Sequence, residues 1–161
     1  MFAVRMIQII ESHADRLAEG LMHKLASSQE CSQLLASVPA HELKQRAYEI
    51  YRNLSEWLLT KTKVEIEERY TGQGLRRARQ EVPFSQLLFA IHATKEHLWE
   101  YLRQEGLLEP EDLIGEMELL HAIERFFDRS LYFTAVGYES AKSSEVVHEF
   151  AAYRPQSGHA G

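Results

Sequence analysis

Apolar side chains recur at steps of three and four along most of this chain, the spacing that gathers them on one face of an α-helix. Phe2, Met6, Ile9, Ile10, Leu17, Leu21 and Leu25 form the first stripe, with His13 on its line. Arg5, Glu11, Asp15, Arg16, Glu19 and Lys24 fall off it, so the pattern predicts one amphipathic helix over 2–26. Gly20 costs such a helix about 1 kcal/mol relative to alanine and points to a close crossing with a neighbour. A brief helix over 31–37 should end at Val38-Pro39, because the residue before proline is driven out of the α region. A second long helix is expected over 40–60, burying Leu43, Ala47, Ile50, Tyr51, Leu54, Trp57 and Leu58. Trp57 anchors the core there if its N–H meets an acceptor.

After a break near Lys61-Thr62, Val64, Ile66 and Tyr70 carry a further helical segment into an elbow, TGQGLRRARQEVP. Gly72 and Gly74 in it serve either a tight bend or a close backbone approach. Pro83 suits the first turn of the next helix, where a missing N–H costs nothing. That helix runs to about residue 104 with Phe84, Leu87, Leu88, Ile91, Leu98 and Leu102 inward. Phe89 and Trp99 lie toward a second face, and Gly106 fits a C-terminal cap. Glu109-Pro110-Glu111-Asp112 opens the last long helix, with proline in the first turn and acids at the positive end of the dipole. Its stripe is Leu113, Met117, Leu120, Phe127, Leu131, Thr134 and Tyr138, widened by Leu119, Ile123, Phe126 and Phe133. So broad a surface suits packing within the domain and against a second subunit. Beyond Ser140 the pattern fades. Residues 1–142 are expected to form one helical domain and 143–161 a segment partly helical and partly disordered, with a turn or two near 146–153.

Composition narrows the class. The 161 residues suffice for one domain with its own core. The formal charge of −6 argues against general nucleic-acid binding, which needs a basic face. The lone Cys31 excludes an internal disulfide and reads as a buried structural thiol. The N-terminus meets Glu11 and Asp15 too early for a signal peptide, and no stretch approaches the roughly 20 apolar residues of a membrane span. A cytoplasmic protein without membrane contact is expected.

Eight histidines in a helical chain raise metal and haem chemistry. Glu118-x-x-His121 matches half of a di-iron carboxylate signature, but the helix from Pro83 offers only His92 and His97, five apart and nearly on opposite sides. Haem requires one axial histidine in an apolar pocket, for which His92 and then His121 are the candidates. No GxSxG is present, and Cys31 has no placed base. Glu65, Glu67 and Glu68 read as a solvated helix face. Arg76, Arg77 and Arg79 form the one basic cluster, suited to a phosphate or an acidic partner, or to pairing with Glu65 to Glu68 a turn or two earlier. The aromatic residues, Trp99 among them, are also able to enclose a small apolar molecule.

The run from Tyr70 to Leu102 joins a tyrosine, a glycine-containing turn, Arg-Arg-Ala, a Val-Pro-Phe-Ser entry and a helix ending Leu-Trp-Glu-Tyr-Leu. It resembles the N-terminal domain of RsbRD-type co-antagonists of RsbT, and FFDRSLYFTAVGYES over 126–140 resembles that family's closing helix. The resemblance implies a dimeric, non-catalytic sensory input domain, of a kind also found ahead of bacterial histidine kinases. Related stressosome input domains resemble globins that lack haem, so globin-like packing without a cofactor is expected. No output module follows within the 161 residues, which leaves an excised input domain and a stand-alone regulator both open. The expectation is an all-α bundle of five or six helices, dimeric through its first and last long helices, acting on a downstream output domain or partner. The alternative is a small-molecule or haem-binding helical protein using His92 or His121.

Overall fold

The structure, a computed structural model, describes residues 2–113 and 115–152. Outside the described set lie residues 153–161, whose end was expected to be disordered, and the side chains of Phe2 and Leu113, both assigned to stripes. Every regular element among the described residues is helical: α1 (Phe2–Ser12), α2 (Ala14–Ala26), α3 (Ser32–Ser37), α4 (Ala40–Arg52), α5 (Lys63–Arg79), α6 (Phe84–Gln104), α7 (Pro110–Leu113) and α8 (Met117–Ala152). Eight helices replace the five or six expected because two stripes are interrupted. The first bends at His13, whose N–H still reaches the Ile9 carbonyl at 3.1 Å. The last is divided ahead of Met117, so the acidic Pro110 turn opens the short α7 and not α8. The 40–60 helix also departs from regularity: α4 ends at Arg52, and Glu56–Thr60 form a π-helical turn.

Other boundaries follow the sequence closely. Val38 is extended (φ −118°, ψ 129°) ahead of Pro39. Thr62 and Glu65 close a reciprocal capping box at the start of α5, which settles the break near Lys61. Gly106, at φ 69°, follows α6, with the Leu107 N–H bonded to the Leu102 carbonyl and the Gly106 N–H to that of Arg103. That pair of bonds is a Schellman cap.

The elbow works differently from its glycine content. α5 runs unbroken through Gly72 and Gly74, and the reversal falls later, at Gln80–Pro83. Glu81 occupies the left-handed region at φ 59°, with Val82 N–H on Arg77 O and Glu81 N–H on Ala78 O. This is the same cap as at Gly106, formed here by a residue that carries a Cβ. Val82 is fully buried, and its carbonyl accepts a 2.7 Å hydrogen bond from the Tyr138 hydroxyl.

Gly74 belongs instead to a helix crossing. A Cβ at Gly74 would run into the Thr134 carbonyl of α8, and one at Gly137 into the Thr71 carbonyl of α5. The two backbones are therefore in direct contact, and α5 with α8 forms the most extensive helix pair among the described residues. Contacts advance in step, Tyr70 with Phe126, Gly74 with Thr134 and Val82 with Tyr138, so the helices run parallel. α6 returns antiparallel to α8, with Phe84 near Tyr138 and Trp99 near Glu124. α2 packs on α4, and α6 ties this pair to α8. Gly20 meets the His97 ring, confirming a close crossing of α2 and α6.

The core is continuous from Met6 through Leu34, Tyr51, Leu98 and Leu102 to Ile123 and Phe126. The buried seam of α8 is Leu119, Ile123, Phe126, Phe127, Ser130, Phe133, Thr134, Gly137, Tyr138 and Ala141. Met117, placed on the stripe by the apolar pattern, is exposed. Trp57 packs on Tyr70 and Phe126, but it is half-buried and its Nε1–H meets no acceptor among the described residues. α8 runs without interruption past Ser140 to Ala152, where only a turn or two near 146–153 was expected, and residues 143–152 are exposed.

Gly137→Ala should destabilise the domain by about 1–3 kcal/mol in urea unfolding, the usual cost of overpacking. Helix propensity alone would give the opposite sign, a gain of about 1 kcal/mol. Glu81→Gly should raise stability by about 0.5–1 kcal/mol, relieving the left-handed Cβ clash less the extra entropy of an unfolded glycine. A shift of the urea midpoint to lower concentration in that variant would contradict the cap geometry.

Candidate functional site

α4 and α5 do not pack closely, and charged side chains span the gap between them. On α4, Glu42, Arg46 and Glu49 stand at i, i+4 and i+7, one face of a helix. On α5, Arg69, Gln73, Arg76 and Arg77 repeat the same interval. Glu42 Oε1 pairs with Arg76 Nε at 2.9 Å and accepts from Arg77 Nη1 at 2.8 Å. Glu49 Oε2 accepts from Arg69, and Arg46 lies 3.8 Å from it, beyond hydrogen-bond reach. Two carboxylates thus answer four guanidinium groups among the described residues.

Arg77 is the most deeply buried charged residue described, with 1% of its surface exposed. Nη1 is shared between Glu42 and Gln80, while the buried Nη2 has no partner. Burial lowers its pKa, partly offset by Glu42. Burial and the neighbouring Arg69 lower that of Arg46. At Glu42 burial raises the pKa, but the hydrogen bonds and charges of Arg77 and Arg76 outweigh it and hold the carboxyl below its usual range.

Arg46, Gln73 and Arg77 border a cavity of about 60 Å³. Its apolar wall comes from α2, α3, α4, α6 and α8, including Leu25, Leu34, Ala47, Leu87 and Phe127. Thr94 and Ser130 also line it, but each hydroxyl donates to a carbonyl of its own helix, those of Ala90 and Phe126. Burial pushes the Tyr70 phenol up to about 12, so that part of the wall is uncharged at neutral pH.

The residues singled out from sequence are dispersed. Arg77 and Arg76 share the cluster, yet they pair with Glu42 and not with Glu65 to Glu68, which are exposed. His92 is exposed beside a shallow groove with Phe89, His97 and Lys24. His121 and Glu118 are exposed on the first turns of α8. Neither His92 nor His121 lines that cavity. Trp99 is half-buried, away from the cavity, and donates to Glu124 Oε1 at 2.8 Å, with Lys95 on the other oxygen. Cys31 is buried, with its pKa raised by burial and Glu30. Sequence reasoning missed Glu42, Arg46, Glu49 and Arg69. The i, i+4, i+7 charges of α4 beside its apolar stripe were the available signal.

The architecture defines an all-α bundle with a part-buried ion-pair cluster between α4 and α5, of which Arg77 is the buried member. Residues 12–152 match the family described as the RsbT co-antagonist protein rsbRD N-terminal domain. The chain belongs to that family, which places it among regulatory input domains of stress-response signalling. Comparison with curated proteins and with solved structures gives no significant match.

Glu42→Gln removes the charge that answers Arg76 and Arg77 and should cost about 3 kcal/mol in chemical unfolding. A carboxyl whose pKa is lowered by folding adds stability above the ordinary carboxylate range and loses it as pH falls through its folded value. The wild-type protein should therefore lose more stability than Glu42→Gln between neutral pH and that acid region, measured by urea unfolding across pH.

Proposed function

We propose that the protein is a non-catalytic sensory input module that passes a signal to a downstream output through the packing of α8 in a homodimer. Family membership supports the input role. The disposition of α8 supports the route. Its 36 residues span about 54 Å at 1.5 Å per residue, and its last third extends beyond the packed body. Tyr132, Val136, Val146, Val147 and Phe150 are exposed, Phe150 at 82%. At 100° per residue they fall within an arc of about 100°, with Glu139 and Ser143 between them. An apolar face of this kind on a soluble helix calls for a covering surface, and a twofold copy of the same helix offers a self-complementary one.

The proposed output is an RsbT-pathway partner or a histidine-kinase module in the cytoplasm. A ligand or partner that favours one of two α8 packings would shift their populations, which is all the input role requires. No helix of the described residues is long and apolar enough to cross a membrane, in keeping with a signal that arrives in solution or by contact.

Light scattering with cross-linking should show a dimer at micromolar concentration. Val147→Asp combined with Phe150→Asp should yield a monomer with unchanged helical circular dichroism, since neither side chain is buried in the protomer. A wild-type chain that stays strictly monomeric sinks the proposed mechanism.

A further inference from the structure

The cavity between α4 and α5 lacks something its walls need. A buried guanidinium nitrogen without a partner is costly, and natural interiors rarely leave one so. Arg77 Nη2 is in that position, in a side chain that lines the cavity. The charge count points the same way. Arg46, Arg69, Arg76 and Arg77 are answered by Glu42 and Glu49 alone, so the cluster carries an excess of positive charge. The Thr94 and Ser130 hydroxyls have given their protons to helix carbonyls and the Tyr70 phenol is engaged with Ser130, which leaves the arginines, with Gln73, as the cavity's available donors. The remainder of the wall is mostly apolar.

An occupant therefore needs an anionic head that takes charge-assisted hydrogen bonds and a short apolar stem. Water alone would satisfy Nη2 but leave the charge unanswered, and a neutral molecule would do the same. The volume sets the length. At ~10–15 Å³ for each water-sized atom, a cavity of about 60 Å³ holds roughly four to six heavy atoms, the size of a carboxylate on a short alkyl chain. We propose that this cavity binds a short-chain monocarboxylate, its head held by Arg77 and Arg46 and its stem by Leu25, Leu34, Leu87 and Phe127. Planar guanidinium groups suit a carboxylate better than a spherical anion, because both oxygens are engaged. As a signal this ligand rests on the input-domain reading; as a binding site it stands on the chemistry of the wall.

Isothermal titration calorimetry of the full chain with acetate, propionate and butyrate tests this, with propanol and nitrate as controls at constant ionic strength. Saturable binding of at least one carboxylate is expected, with none for propanol and weaker binding for nitrate. Arg77→Met should weaken binding about 10- to 100-fold, the effect of losing one charge-assisted hydrogen bond. Ala90→Leu fills the cavity from α6 and keeps Arg77 and Glu42 in place. It should remain helical and lose binding, which guards against a fold defect in the arginine variant. The proposal is overturned if none of the three acids binds, if propanol or nitrate binds as well as they do, or if Ala90→Leu binds undiminished. The titration needs no output partner, so its failure would remove the ligand site and leave the dimer mechanism to stand or fall by light scattering.

Discussion

The contact between α5 and α8 at Gly74 and Gly137 is the constraint on which the other placements depend. Two helices whose carbonyls sit where a Cβ would otherwise be are held at backbone contact, a separation that no residue larger than glycine allows at these positions. Because they run parallel, the chain must travel back between them, and α6 is that return. The reversal after α5 is correspondingly tight, enough to hold a glutamate in left-handed backbone with Val82 tied to Tyr138. The crossing also fixes which residues of α5 face α4. Arg77 lies three residues after Gly74, so its burial follows from the helix contact as much as from its pairing with Glu42.

That arrangement explains how a charged side chain as buried as Arg77 is accommodated. Where α5 leans fully on α8, it stands away from α4, and the space is spanned by long side chains that reach across in ion pairs. Buried ion pairs of this type contribute little net stability when compared with a well-packed apolar substitute. Their presence here fixes the spacing of α4 and α5 and keeps an opening between the helices. The ion-pair cluster and the cavity have one cause.

Much of the architecture was legible in the chain. Helical stripes, the break near Lys61-Thr62, the Val38-Pro39 stop and the Gly106 terminus rest on local chemistry and came through with little change. The failures share a pattern. Apolar spacing took α8 to bury Met117, while the closest approach on α8 is made at Gly137 and the Thr134 carbonyl, where the lack of a side chain is what counts. The elbow glycines were open to a bend or a close approach, and what decides for the approach at Gly74 is Thr134 on α8, sixty residues away. Arg76 and Arg77 were matched to nearby glutamates, whereas their partner is Glu42, thirty-five residues before Arg77. Local rules reach one or two turns. A crossing between distant helices, and the cavity it leaves, lie beyond them.

The chain's two tryptophans flank α8 on different sides. Trp57 stacks on Phe126 with its N–H unanswered, and Trp99 holds the Glu124 carboxylate. Both contacts sit on neighbouring residues of one helix, yet one indole is in an apolar aromatic cluster and the other beside a charge. A small rotation of α8 about its axis would change the two environments in unlike ways. The protein thus carries two indoles in unlike surroundings, one on each side of its longest helix.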